Sequence, residues 1–121
     1  MRIAIIGASN NKEKFGNKAV RAYKMKEWEV FPINPKEEEI EGLKVYKSIL
    51  DIPGDLDRIA LYIPAKVSLT LIEEFKKKGI KEINISPGAE SDELIRALMN
   101  AGIKPNLICS ILQIGINPSD L

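Results

Sequence analysis

Five short apolar runs, separated by segments of helical period, constrain this chain more than any other feature. The first is Arg2-Ile3-Ala4-Ile5-Ile6, nearly all aliphatic and stopped by Gly7. A run of that length without polar alternation reads as a strand buried on both faces. Further strands are expected at residues 28–33, 58–63, 82–85 and 105–109, with a short extended piece at 42–46. Helices fall between them. Residues 16–26 gather Ala19, Val20 and Tyr23 on one side. Residues 65–78 repeat Val67, Leu71, Ile72 and Phe75 at helical spacing, and Gly79 closes the segment after three lysines. Leu94, Ile95, Leu98 and Met99 form a last stripe, with Ser91 as N-cap, acids in the first turn and Gly102 as the stop. Ser48-Ile49-Leu50 suggests one helical turn and Pro53-Gly54 a chain reversal. Residues 110–121 carry no decisive pattern.

Such alternation of strand and helix implies a parallel sheet with helices on both faces and right-handed crossovers. The expected fold class is α/β: one Rossmann-like, doubly wound parallel sheet of about five strands. A chain of 121 residues is one domain by size. Folding at this length buries roughly two-thirds of the unfolded chain's surface.

Composition narrows the function by exclusion. The net charge of +1 gives no support to nucleic-acid binding. No apolar stretch approaches the ~20 residues of a membrane span. The sequence enters its first strand without a charged-then-apolar leader. The single Cys109 has no disulfide partner, as suits a reducing compartment. A cytoplasmic protein is therefore expected. There is no histidine, which removes imidazole acid–base catalysis and histidine metal sites. No catalytic or metal-binding constellation stands out. Asp51, Asp55 and Asp57 surround Pro53-Gly54 and read as a solvated turn.

Open parallel sheets bind ligands at the carboxyl ends of their strands, near the switch in strand order. Here those ends are Gly7-Ala8-Ser9, Asn34-Pro35, Ile63-Pro64 and Ser86-Pro87-Gly88, all small, polar or marked by proline. Gly7 permits a sharp turn, Ala8 permits close approach, and Ser9 brings a hydroxyl. Gly16 opens the following helix, whose free N–H groups favour an anion. Lys12 and Lys14 lie in the same loop. The dinucleotide pattern G-x-G-x-x-G is not met, because Ser9 takes the second glycine position and Gly16 comes late. The second strand ends in Ile33-Asn34-Pro35-Lys36, without the acid that NAD sites use to hold a ribose diol. Lys36 would attract a phosphorylated ribose, as in coenzyme A or NADP. Ile63-Pro64 reads as an apolar lip for an adenine, or as an ordinary helix start. Ser86-Pro87-Gly88 offers backbone N–H groups to the far arm of a ligand, or is a simple turn.

Taken in order, Ile5-Ile6-Gly7-Ala8-Ser9, Lys14-Phe15-Gly16, Ile33-Asn34-Pro35, Gly42 and Tyr46, Ile63-Pro64-Ala65 and Pro87-Gly88-Ala89 resemble the small single-domain CoA-binding proteins. Those are related to the CoA-binding domain of the succinyl-CoA synthetase alpha subunit and of acyl-CoA synthetases. The resemblance covers residues 2–109. It implies that Gly7, Ala8 and Ser9 hold the CoA phosphates, with Lys14, Phe15 and Gly16 beside them. It implies that Ile33, Asn34 and Pro35 contact the nucleotide and that Ile63 and Pro64 border the adenine. Lys36 is added on charge alone. Many members carry an Arg-Cys pair after the last strand, whereas Ile108 precedes Cys109 here. Cys109 is either a small core residue or a thiol facing CoA.

Three functions follow for testing. The first is binding of CoA or acyl-CoA without catalysis. The second is an enzyme role, as an NADP-binding protein or the CoA-holding subunit of a split acyl-CoA synthetase. The third is a redox role in which CoA protects Cys109. The phosphohistidine chemistry of the synthetase relatives has no residue to carry it. A homodimer and a partner enzyme subunit both stay open, with 112–116 as a candidate contact.

Overall fold

The aliphatic runs form the centre of the molecule. The computed structural model describes residues 1–121. Its main sheet contains β1 (Arg2–Ile6), β2 (Glu29–Ile33), β5 (Arg58–Leu61), β6 (Glu82–Ile85) and β7 (Lys104–Leu107). Their order is β2-β1-β5-β6-β7, and every pairing is parallel. The chain moves outward from β1 to β2, then crosses back over β1 to build β5, β6 and β7. The switch in direction lies between β1 and β5, where such sheets open a crevice. This is the α/β, Rossmann-like sheet that the alternation predicts.

The period of two along each strand divides the core. Ala4, Ile6, Leu61, Ile83 and Ile85 face one side, where Phe75 of α3 (Ile72–Lys78) and Leu94 and Leu98 of α4 (Asp92–Asn100) cover them. Ile3, Ile5, Val30 and Ala60 face the other side, against Ala19, Val20 and Tyr23 of α1 (Phe15–Met25) and Ile111 of α5 (Ser110–Gln113). Full burial of each large aliphatic side chain contributes about 1.5–3 kcal/mol.

Three elements differ from the sequence reading. The helix expected over 65–78 is two helices, α2 (Ala65–Leu69) and α3. Thr70 explains the break. Its hydroxyl donates to the Val67 carbonyl at 2.6 Å, and the N–H groups of Thr70 and Leu71 bond three residues back rather than four. The unassigned tail folds as α5 and a closing turn, fixed by the Tyr23 hydroxyl donating to the Ser110 carbonyl at 2.7 Å. The extended piece at 42–46 joins a small antiparallel hairpin, β3 (Glu39–Ile40) with β4 (Leu43–Lys44). Its turn places both Glu41 (φ +49°) and Gly42 (φ +77°) in the left-handed region. A non-glycine residue there costs about 1–2 kcal/mol, so something must hold Glu41 in place.

The amino ends of the strands are closed by Arg2. Its backbone N–H donates to Asp57 at 2.7 Å, and its guanidinium donates to the carbonyls of Pro53 and Asp55. The acid-rich turn is thus a structural buttress, remote from the carboxyl ends. No helix is long and apolar enough to cross a membrane.

Candidate functional site

A cleft of about 680 Å³ lies at the carboxyl ends of the strands. Four chain segments build it: Gly7–Ser9 after β1, Lys14–Gly16 at the start of α1, Tyr62–Pro64 after β5 and Ser86–Ala89 after β6, with Asn34 alone after β2. The volume is within the range of small-molecule and cofactor sites. Its lining includes one lysine, Lys14, and no carboxylate. Such a wall favours an anion.

The floor is formed by two glycines. Gly7 has φ +93°, and a Cβ there would lie 2.6 Å from the Tyr62 carbonyl oxygen. A Cβ on Gly16 would lie 2.1 Å from the carbonyl oxygen of Gly7. The helix therefore begins in direct contact with the end of β1. That is the close helix–strand packing which a late glycine supplies in dinucleotide sites. Although the spacing of that motif is absent, its mechanical role is filled.

The loop between them presents donors. The backbone N–H groups of Ala8, Ser9, Asn10, Phe15 and Gly16 donate to nothing in the protein. Ala8 and Gly16 are buried. Unpaired N–H groups gathered beside a helix start suit an anion. Lys14 is the N-cap of α1 and no side chain caps that end. Phe15, 51% exposed, leaves part of an aromatic ring at the rim.

The turn after β6 is different. Its Gly88 N–H donates to the Glu90 carboxylate at 2.7 Å, so an acid of the chain already occupies it. The N-cap Ser91 likewise accepts from the Leu94 N–H at 3.0 Å, satisfying one donor of the first turn of α4.

Of the predicted residues, Gly7, Ala8, Ser9, Lys14, Phe15, Gly16, Asn34, Ile63 and Pro64 come together on the cleft. Ile33, Pro35 and Lys36 do not line it. Ile33 is 6% exposed and belongs to the hydrophobic core on the face that Phe31 and Ile6 share. Pro35 and Lys36 are exposed just beyond Asn34. Asn34 itself is anchored: its Nδ2 donates to the Ala8 carbonyl at 2.8 Å, and its Oδ1 accepts from Lys36 and Glu37 N–H groups. It ties two strand ends together, and its second amide N–H has no partner in the protein. Cys109, half-buried, precedes α5 and packs on the α1 side of the sheet, outside the cleft lining.

Residues that the sequence reading missed hold the loop from behind. Asn17 is fully buried. Its Nδ2 donates to the Ser9 carbonyl at 2.8 Å and to Glu41 at 3.1 Å, and its Oδ1 accepts from the Arg21 Nε at 2.7 Å. Glu41 also lies 3.5 Å from the Lys12 ammonium. The Asn17 hydrogen bond, with Lys12 and Arg21 nearby, holds the Glu41 carboxyl below the usual carboxylate range despite its partial desolvation. This explains the strained backbone of Glu41. Asn10 adds a second tie, its Nδ2 reaching Glu37 at 2.8 Å and the Glu39 carbonyl at 3.0 Å. Tyr62, also missed, lends its carbonyl to the floor under Gly7. Its hydroxyl is buried without a partner, and burial raises its pKa.

The sheet order and the cleft at its carboxyl edge are those of a Rossmann-like α/β domain, and comparison with known proteins narrows that class. Residues 1–112 match the family model described as "CoA binding domain", and the chain belongs to that family. It is 42% identical over 79 residues to the ADP-forming acetate–CoA ligase of Methanocaldococcus jannaschii, a match covering 65% of this chain and 11% of that protein. It is 38% identical over 86 residues to the alpha subunit of ADP-forming acetate–CoA ligase II of Pyrococcus furiosus, covering 69% of this chain and 18% of that one. The chain thus spans less than a fifth of the length of these two curated relatives. A solved structure of a conserved hypothetical protein from Pyrococcus furiosus superposes with a TM-score of 0.86 at 38% identity, covering 93% of this chain and 97% of the other.

Proposed function

We propose that this chain binds coenzyme A or an acyl-CoA in the cleft and performs no chemistry on it by itself. The observation that carries the reading is the set of unpartnered N–H groups at Ala8, Ser9, Phe15 and Gly16 beside Lys14, on a wall without carboxylates. A pyrophosphate suits that cradle in charge and in donor chemistry. Phe15 and the Ile63-Pro64 lip supply apolar surface for a base. Lys36, exposed beyond Asn34, is the cation offered to a sugar phosphate that projects over the rim. The Ser86–Ala89 wall, with its N–H already taken by Glu90, suits the uncharged pantetheine arm. Family membership supports the same ligand.

Calorimetric titration with CoA, dephospho-CoA, NADP and NAD in parallel tests the reading. CoA is expected to bind tightest, with dephospho-CoA weaker. Tighter binding of NADP or NAD than of CoA would overturn it.

A second reading has its own support: the relative in Pyrococcus furiosus is a separate alpha subunit of an ADP-forming ligase. On that reading the chain is the CoA-holding piece of a split acyl-CoA synthetase. Reconstituted acyl-CoA formation with a co-purified partner chain would establish it. The cytoplasmic setting and the single-domain organisation expected from the sequence accompany both readings.

A further inference from the structure

We propose that Asn17, assisted by Asn34, is a positioning residue that sets the polarity of the anion-binding loop. It does so by holding Ser9 with its acceptor turned inward and its donors left free. The inference rests on the CoA reading above and concerns how the chain makes that site selective for phosphate.

Peptide geometry supplies the argument. In a trans peptide the C=O and the following N–H point in opposite directions. The Ala8 carbonyl accepts from Asn34 Nδ2 at 2.8 Å, which directs the Ser9 N–H the other way. The Ser9 carbonyl accepts from Asn17 Nδ2 at 2.8 Å, which does the same for the Asn10 N–H. Ser9 Oγ accepts from the Asn11 N–H at 3.0 Å, so its own proton is free to donate. Ser9 lines the cleft with its carbonyl occupied and with N–H and O–H both unspent. Without these two amides either peptide could rotate and turn a carbonyl oxygen toward an incoming anion.

The orientation of Asn17 is itself dictated by its neighbours. Arg21 Nε can only donate, and the Glu41 carboxylate can only accept. A guanidinium on one side and a carboxylate on the other leave one way round for the carboxamide. The strained turn residue Glu41 is held between Asn17 and Lys12, so the hairpin β3–β4 serves as the outer brace of the loop. Nothing about Asn17 in the linear sequence marks this role, since Glu41 lies 24 residues away.

The test compares the full chain with its Asn17→Ala and Asn17→Asp variants, using CoA, inorganic pyrophosphate and pantetheine as probes. Affinity for CoA and pyrophosphate is expected to fall about tenfold or more, the value of one to two charge-assisted donors. Affinity for pantetheine, which has no phosphate, is expected to stay unchanged. Equal weakening of all three probes would mean a general structural role and would overturn the proposal. So would CoA binding by Asn17→Ala at wild-type strength. A second measurement needs no variant: on titration of the wild-type chain with pyrophosphate, the Ser9 amide resonance is expected to move downfield and the Gly88 amide to stay still. A stationary Ser9 amide in a chain that binds CoA overturns the proposal alone; failure of the wild type to bind CoA or pyrophosphate removes the site reading with it.

Discussion

The turns after β1 and after β6 share a wall of one cleft, and both contain a glycine at positive φ, Gly7 at +93° and Gly88 at +98°. They are built to opposite ends. After β1 the N–H groups are open, the carbonyls are tied back by asparagines, and backbone atoms crowd the glycine. After β6 the glycine has nothing within 4 Å of its missing Cβ, and its N–H is already satisfied by Glu90. One turn is tightly packed and electrostatically vacant; the other is roomy and electrostatically full. A glycine-bearing strand end is therefore not in itself an anion site. What decides is whether the chain has left its own acids out.

The largest expected effect comes from crowding that contrast. Gly16→Ala drives a methyl group into the Gly7 carbonyl, where only backbone could yield. It should destabilise the fold by about 1–3 kcal/mol, and CoA binding should be lost from calorimetric titration. Gly88→Ala meets open space and carries only backbone strain of about 1–2 kcal/mol. It should melt earlier yet keep CoA affinity. Comparable loss of affinity in the two variants would erase the distinction.

Next in size is charge. Lys14→Ala, on the cleft, should weaken CoA binding by about tenfold. Lys36→Ala should cost less, and only for a ligand bearing the 3′-phosphate; equal loss with dephospho-CoA would show that Lys36 does not read that group. Smaller again is Glu90→Ala, which frees the Gly88 N–H. CoA affinity should change by less than about threefold, the size of a modest surface effect. A tenfold gain would mean that the β6 turn is a second anion cradle held shut by its own acid.

The smallest effect tests the brace behind the β1 loop. The Glu41 carboxyl titrates below its ordinary range, chiefly through the Asn17 hydrogen bond. A group depressed in the folded state contributes stability above its unfolded pKa and loses it as pH falls through the folded one. Denaturant melts should show Glu41→Gln less stable than wild type at neutral pH, with the gap closing in acid. A gap constant with pH would remove Glu41 from the brace.

The strands and the glycine-bearing loop were legible because they depend on local pattern. Short aliphatic runs in an alternating chain read as strands of one parallel sheet, although β7 at its edge is half-exposed, and Gly7 and Gly16 answer to steric need. The helix break at Thr70 was not legible, because Val67, Leu71, Ile72 and Phe75 keep helical spacing across it and the Thr70 hydroxyl competes invisibly with the backbone. Asn34, read as a ligand contact, lines the cleft and is also an internal tie, a second role that only its partner atoms reveal. Asn17 and Glu41 were missed for a related reason. Their signal exists only after the hairpin folds back onto α1, and residues so far apart leave no periodic trace. Lys36 was chosen for its charge, and the turn at Pro35 carries it past the rim.

The contact between Gly16 and the Gly7 carbonyl has a further consequence. With no side chain to cushion them, the first turn of α1 and the residue that follows β1 are expected to move as one body. A guest seated against the loop would stiffen the whole eleven-residue helix, and the damping would reach Tyr23 and, through its hydroxyl, the start of α5. Slower amide exchange along α1, far from any contact with the guest, would be the signature of that mechanical continuity.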